Sequence, residues 1–329
     1  MRGRYVMDNK TIVKEIRKRQ KRAKNLCNLW FFAAFGSFFC LVAAFISMGV
    51  EAPFFVILFG GLGIAGQIYR FKGENVHKKA EKELKNYIGE QVAKPIIAEK
   101  IDIIEYDPSS KLNEKAIRAS GIMPGYDRIT GSDYIKGSYK GHELVYCDLE
   151  LEYEKEYRDS DGDRQTTWVT VFEGPFVRMP LGKDMKGYVK IKERKNPKKK
   201  KGFMDDLFES AAKSLGFESR ESVVELESTA FNEQFEVKTT DEEMAFYILT
   251  PQFMENIIEA DQYAQGYTNI SFKDGIAYIA INNGRDSFEV TKNMYSEKRL
   301  EQSRQEMRQD LSRILRILDE VLEKEQLFS

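Results

Sequence analysis

Histidine and cysteine are almost missing from this chain. Of its 329 residues, only His77 and His142 are histidines, and only Cys27, Cys40 and Cys147 are cysteines. That excludes a disulfide framework and a Cys-rich zinc site, suits a reducing compartment, and leaves metal and triad chemistry little to work with. Net charge is missing as well: 51 basic residues stand against 52 acidic ones, giving −1. Nucleic-acid binders carry a basic surplus over their domain, so no nucleic-acid partner is expected. A phosphate-binding loop is also lacking. GGLGIAG, residues 60–66, sits inside an apolar run and does not end in Lys-Ser/Thr. G-x-S-x-G is absent. His142, next to Glu143, is the available base for a hydrolase, but a histidine at a strand start is ordinarily a surface or half-buried residue. Asp159, Asp161 and Asp163 alternate like the first ligands of a calcium loop. Counted from Asp159, however, Arg164 and Thr170 occupy the places that need Gly and Glu. No catalytic residue, metal ligand or cofactor is assigned.

Two long uncharged runs stand out against this background. Leu26 to Met48 holds 23 residues without a charge, and Pro53 to Tyr69 follows after GVEA. At about 1.5 Å per residue the first covers roughly 35 Å, enough to cross the hydrocarbon core of a bilayer. A turn as short as GVEA forces an antiparallel hairpin. Ten Lys or Arg in the first 25 residues, with Arg70 and Lys72 after the second run and only Glu51 between the runs, place both termini in the cytoplasm by the positive-inside rule. A cleaved signal peptide would have a shorter apolar core and no second run. Small residues four apart (Ala33 and Ser37, Cys40 and Ala44, Gly61 and Ala65) permit close helix packing. No ionisable residue lies inside either run, which argues against an ion path.

After the second run, ENVHKKAEKELKNYIGEQVA continues in helical period as a stalk until Pro95. Beyond residue 100 the period becomes two. GSYKGHELVYCDLELEYEKEY places Val145, Cys147, Leu149, Leu151 and Tyr153 on one face, RDSDGDRQ turns the chain, and TTWVTVFEGPFVRM returns it. SVVELES and FNEQFEVKT read as strands, DEEMAFYIL and TPQFMENIIEAD as helices, the second with Thr250 as N-cap and Pro251 at its first position. TNISFKDGIAYIAIN is a hairpin on Asp274-Gly275. A polar helix from about Tyr295 to Leu327 carries one apolar stripe: Leu311, Ile314, Leu315, Leu318 and Leu322. Strands, then helices, then strands again, without βαβ alternation, define an α+β fold with a mainly antiparallel sheet. The expected organisation is a basic cytoplasmic segment (1–25), a transmembrane helical hairpin (26–72), a helical stalk (73–100), a cytoplasmic α+β domain (101–292) and a C-terminal helix (293–329).

SDYIKGSYKG, VFEGPFVRMP, VELESTAFNEQFEVKTTDEEMAFYILTPQFMENI and ISFKDGIAYIAI resemble the bacterial domain-of-unknown-function family 3137. In that family a G-x-F element after a long strand precedes an LES-x-x-F-x-x-x-F segment and an LTP-x-F helix start. These fall on Glu173-Gly174-Pro175-Phe176, on Leu226 through Phe235, and on Leu249 through Phe253. The resemblance covers roughly residues 100 to 290. It implies a membrane-anchored bacterial protein with a cytoplasmic domain, and it brings no catalytic residues. The matched Phe172, Phe176, Phe231 and Phe235 read as core, since burial is the default fate of large apolar groups.

A basic loop near residues 192–202 remains. Lys198, Lys199, Lys200 and Lys201 run into Phe203, Leu207 and Phe208 at helical spacing, a pattern of membrane-surface contact. Asp205, Asp206 and Glu209 oppose that reading, and a soluble loop is the simpler one. The chain as a whole reads as a multi-pass bacterial inner-membrane protein. Its cytoplasmic domain acts as a non-enzymatic binding or scaffolding module for a protein partner, a lipid headgroup or a second copy. A membrane-surface hydrolase, or a subunit of a transport or channel assembly, is the alternative.

Overall fold

The structure is a computed structural model and describes residues 8–49, 53–158, 162–181, 187–194, 221–264, 266–290 and 294–327. The chain divides into two compact units. One comprises residues 1–92 with Val290–Ser303, the other residues 93–289 with 304–329.

The first unit is built on two long helices, α1 (Asn9–Gly49) and α2 (Pro53–Ile88). Both are long and apolar enough to cross a membrane. From Asn9 onward the basic segment is helical, and α1 runs from it unbroken through the apolar run. α2 likewise continues from its apolar run into the stalk, as the helical period predicts. A π-helical turn (Gly89–Ala93) precedes the short α3 (Lys94–Ile97). Pro95 has no N–H to give the preceding turn, which is where such a widened turn is accommodated. The two helices meet through small residues. A Cβ placed on Gly66 would lie 2.6 Å from the Ser37 Cβ, and one on Gly63 would meet the Leu41 side chain. Ser37 and Ala44 are buried, as their spacing suggests, whereas Gly61 faces open space. Gln67 Nε2 donates to Ser37 Oγ at 2.9 Å across this contact.

The second unit is the α+β domain. Its sheet has nine strands in the order β1-β2-β3-β4-β9-β8-β5-β7-β6, antiparallel at every pairing among the described residues. The strands are β1 (Asp102–Asp107), β2 (Arg128–Tyr139), β3 (His142–Arg158), β4 (Arg164–Pro180), β5 (Tyr188–Glu193), β6 (Ser222–Val224), β7 (Phe235–Thr239), β8 (Tyr267–Lys273) and β9 (Ile276–Asn282). The long hairpin expected from residues 142–180 is β3–β4. The Asp274-Gly275 hairpin is β8–β9, both turn residues at positive φ. Lys140 and Gly141 make the same kind of turn between β2 and β3.

Among the described residues, four helices belong wholly to this unit besides α3: α4 (Glu114–Ala119), α5 (Thr229–Gln234), α6 (Glu242–Ile248) and α7 (Pro251–Ala264). The last helix, α8, runs from Glu297 to Leu327. The segment FNEQFEVKT is only half a strand. Its first part is α5, because Ser228 Oγ accepts from the Phe231 amide and caps a helix there. Asp241 caps α6, and the Phe253 amide donates to Thr250 Oγ1 at the start of α7. All five stripe residues of α8 are buried.

One face of β3, β4 and β9 holds Cys147, Leu149, Leu151, Phe172, Phe176, Tyr278 and Ala280. Ile117, Ile122, Met123 and Tyr126 pack over it. The β3–β4 register shifts between Leu151 and Glu152. That bulge turns Val171 inward beside Phe172. Phe172, Phe176, Phe231 and Phe235 are all buried, each contributing about 1.5–3 kcal/mol of burial. Gly174 sits at φ +144°, where a Cβ would lie 2.2 Å from the Ile281 carbonyl oxygen. β9 pairs with β4 only from Phe176 onward, so Gly174-Pro175 marks where that ladder ends.

Candidate functional site

The alternation in β3 predicts one buried face, and the second face proves buried too. Tyr146 and Asp148 point away from Cys147, yet they are only 1% and 3% exposed. An aspartate in the middle of a covered strand needs partners, and three carboxylates meet here. Ligand oxygens of Asp133, Asp148 and Asp286 all lie within 4.8 Å of one another.

Each aspartate arrives by a different route. Asp148 stands opposite Ser132 in the β2–β3 ladder. The register of β2 then shifts between Ser132 and Ile135, and within that bulge Asp133 takes a left-handed conformation, φ 54°. Its amide donates to the Pro108 carbonyl. Aspartate tolerates this conformation better than most residues. Asp286 comes from the chain after β9, where its Oδ1 accepts from the Phe288 amide.

Hydroxyl groups surround the cluster. Tyr106 of β1 donates to Asp133 at 2.7 Å, Ser132 to Asp286 at 2.7 Å, and Ser287 to Asp148 at 3.0 Å. The Tyr146 hydroxyl lies 3.2 and 3.1 Å from the two Asp148 oxygens, and its ring meets Phe288 edge-on at 5.4 Å. Burial, and then the charges of Asp286 and Asp133, raise the Asp148 carboxyl well above the usual carboxylate range. Burial first and Asp148 second push the Tyr146 phenol up in the same way. Three carboxylates this close repel one another; a proton kept by one of them, or a cation among them, relieves it. Through these bonds the cluster ties β1, β2, β3 and the chain after β9 into one polar knot.

The residues singled out in the sequence lie elsewhere. Lys198–Lys201, Phe203, Leu207 and Phe208 fall outside the described residues, as do Asp159 and Asp161. His142 opens β3, half-buried, opposite Tyr139. The aspartate cluster is missed by sequence reasoning because its members are 15 and 138 positions apart. Its one local signal is Asp148 itself, an acid inside a run of strand formers where aspartate is disfavoured.

The second unit is thus an α+β domain with a nine-stranded antiparallel sheet, and it follows two helices of membrane-spanning length. Residues 170–322, from β4 into α8, match the family model described as "Protein of unknown function (DUF3137)". This supports assignment of that region to the family and bears out the resemblance in the sequence. The match begins later than the resemblance and extends further, into the C-terminal helix. No curated protein sequence matches the chain. Among solved structures, the "crystal structure of the mycobacterial trehalose monomycolate transport factor A, TtfA" is similar at 9% identity and a TM-score of 0.34. It covers 68% of this chain and 94% of that chain.

Proposed function

We propose that this is a bacterial inner-membrane protein whose helical hairpin anchors a cytoplasmic α+β domain that works as a non-enzymatic binding module for a protein partner. One observation carries the reading: the outer surface of the paired helices is apolar. Phe32, Phe45, Phe54 and Ile57 are 70%, 77%, 70% and 77% exposed. A soluble protein rarely leaves so large an apolar surface to water, whereas a bilayer solvates it. The non-enzymatic part rests on burial. Asp133 and Asp148 are sealed from solvent, which suits a hydrogen-bonded knot better than a general base that must meet a substrate. The binding part is supported by the end of the β3–β4 hairpin. Pairing with β2 stops at Glu152, and Tyr153 to Arg158 with Arg164 to Val169 continue as a two-stranded ribbon of about 20 Å. Tyr157 and Trp168 are exposed on it.

Two measurements test this reading. With Cys27, Cys40 and Cys147 replaced by Ser, a cysteine at Glu51 is expected to react with an impermeant maleimide in intact cells, and one at Lys10 only after lysis. The opposite pattern reverses the topology, and reaction of both excludes the hairpin. Cross-linking mass spectrometry in native membranes, with a photo-reactive residue at Trp168, is expected to return one reproducible partner protein. Only self-links would move the domain's role to self-assembly.

A further inference from the structure

Both helices of the hairpin outlast their apolar runs. Residues 9–25 extend α1 on one side of Leu26, and residues 70–88 extend α2 beyond Tyr69. Together these extensions hold fourteen Lys or Arg and four Glu. All four acids already have partners: Glu15 with Arg19 and Glu74 with Lys78 along their own helices, Glu81 beside His77, and Glu83 with Arg22 across the pair. Lys14, Arg17, Lys21, Lys24, Lys72 and Lys79 are exposed. The segment Val290–Ser303 in the same unit adds Glu297 and Glu301 as well as Lys292, Lys298 and Arg299, so it does not cancel the excess.

Ile12, Ile16, Ala23, Ala80 and Ile88 are buried in these extensions, so the cations are presented outward by a packed helix pair rather than by a free tail. Trp30 Nε1 donates to the Arg70 carbonyl at 3.1 Å, and the Tyr69 ring lies beside Gly73 near the Trp30 ring. Such an aromatic pair marks the level of a bilayer–water boundary. Lys24 then lies about 9 Å beyond Trp30 along α1 and Lys21 about 14 Å. Side chains on α2 lean toward its N-terminus, hence back toward the apolar run. Lys72 therefore falls within about one Debye length of a headgroup plane at physiological salt and Lys24 lies at about that distance, while Lys21 and Lys79, about 14–15 Å along their helices, lie at the outer reach of the same field.

We infer that this juxtamembrane basic surface binds the headgroup phosphates of anionic phospholipids and selects them around the anchor. Orientation needs only a few cations next to the spans. Here they continue for several helical turns on both helices. The inference rests on the membrane-anchor reading and goes beyond it by naming the lipid class and the surface.

The test uses the full-length chain, equilibrated with equal amounts of phosphatidylglycerol and phosphatidylcholine, and counts retained lipid by native mass spectrometry. The wild type is expected to enrich the anionic lipid on the order of tenfold or more, and high salt is expected to abolish the preference. Combined Lys21→Gln, Lys24→Gln, Lys72→Gln and Lys79→Gln is expected to remove most of it, while the chain stays in membranes on alkaline carbonate washing. A matched variant with Gln at Lys198–Lys201 is expected to retain it. Unchanged enrichment in the juxtamembrane variant, or loss only in the Lys198–Lys201 variant, overturns the assignment while leaving the anchor intact. A carbonate-resistant wild type without enrichment does the same. Release of the wild type by carbonate removes the anchor and this proposal with it. Equal retention of single-stranded RNA by the chain in neutral nanodiscs makes the surface a general polyanion binder, which also overturns it.

Discussion

Asp148 and Lys190 are both buried in the sheet domain, 3% and 6% exposed, and burial moves them in opposite directions. Asp148 has its pKa raised, first by burial and then by Asp286 and Asp133. A raised carboxyl means the folded chain holds its proton more tightly than the unfolded chain does. This contribution to stability is full below the ordinary carboxylate pKa and is lost as pH rises toward the raised value. Asp148→Asn removes the titration and still accepts from Tyr146 or Ser287. It is expected to stabilise the purified chain at pH 8 by about 1–3 kcal/mol and to do less at pH 4, as read by thermal unfolding at the two values. Lys190 is lowered to about 8, chiefly by burial. The folded chain therefore disfavours its proton, and stability falls as pH drops from about 10 through 8. Lys190→Met is expected to gain about 1–3 kcal/mol at pH 7, an advantage that shrinks above pH 8. A constant difference from pH 7 to 10 would show that packing, not charge, sets the effect.

At the scale of elements, the hairpin of α1 and α2 depends on close approach at Ser37 and Gly66. In the proposed membrane setting there is no hydrophobic drive between helices, so small residues and a hydrogen bond such as Gln67 to Ser37 would hold them. Gly66→Leu puts a branched side chain where even a Cβ is too close. Spin labels at the outward-facing Phe45 and Ile57 are expected to separate by several ångströms in this variant, by about the width of the inserted side chain. An unchanged distance would mean that another contact sets the hairpin. Gly61→Leu, with open space around it, serves as the neutral comparison.

At the scale of the whole molecule, the segment Val290–Ser303 belongs with residues 1–92 rather than with the sheet that precedes it. The Met294 amide donates to Gln20 Oε1 of α1, and Met294 and Leu300 are fully buried. Cutting the chain before Glu74 removes α1 and leaves this apolar segment without its acceptor. A chain from Glu74 to Ser329 is expected to exchange the amides of residues 294–300 at least tenfold faster than the full-length chain, by hydrogen exchange in the same detergent, while the β3–β4 amides stay protected. Equal protection at 294–300 in both chains would place the support of that segment in the sheet domain.

Signals that are local in the chain read correctly. The two apolar runs, the period of β3 and β4, the Asp274-Gly275 turn, the Thr250-Pro251 helix start and the stripe of α8 each depend on residues within one or two turns or one hairpin. Their physics is therefore written in adjacent positions. The sequence by itself also shows the α+β class and the family resemblance over the sheet. What it leaves open is whatever joins distant positions. The strand order carries β9 between β4 and β8, and no periodicity reports that. The second face of β3 becomes interior only because other elements cover it. Asp133, Asp148 and Asp286 become one cluster only because a bulge in β2 and the chain after β9 bring their carboxylate oxygens within 4.8 Å of one another. Composition and spacing determine which faces must be buried; the tertiary structure alone decides what buries them and which polar groups are enclosed there.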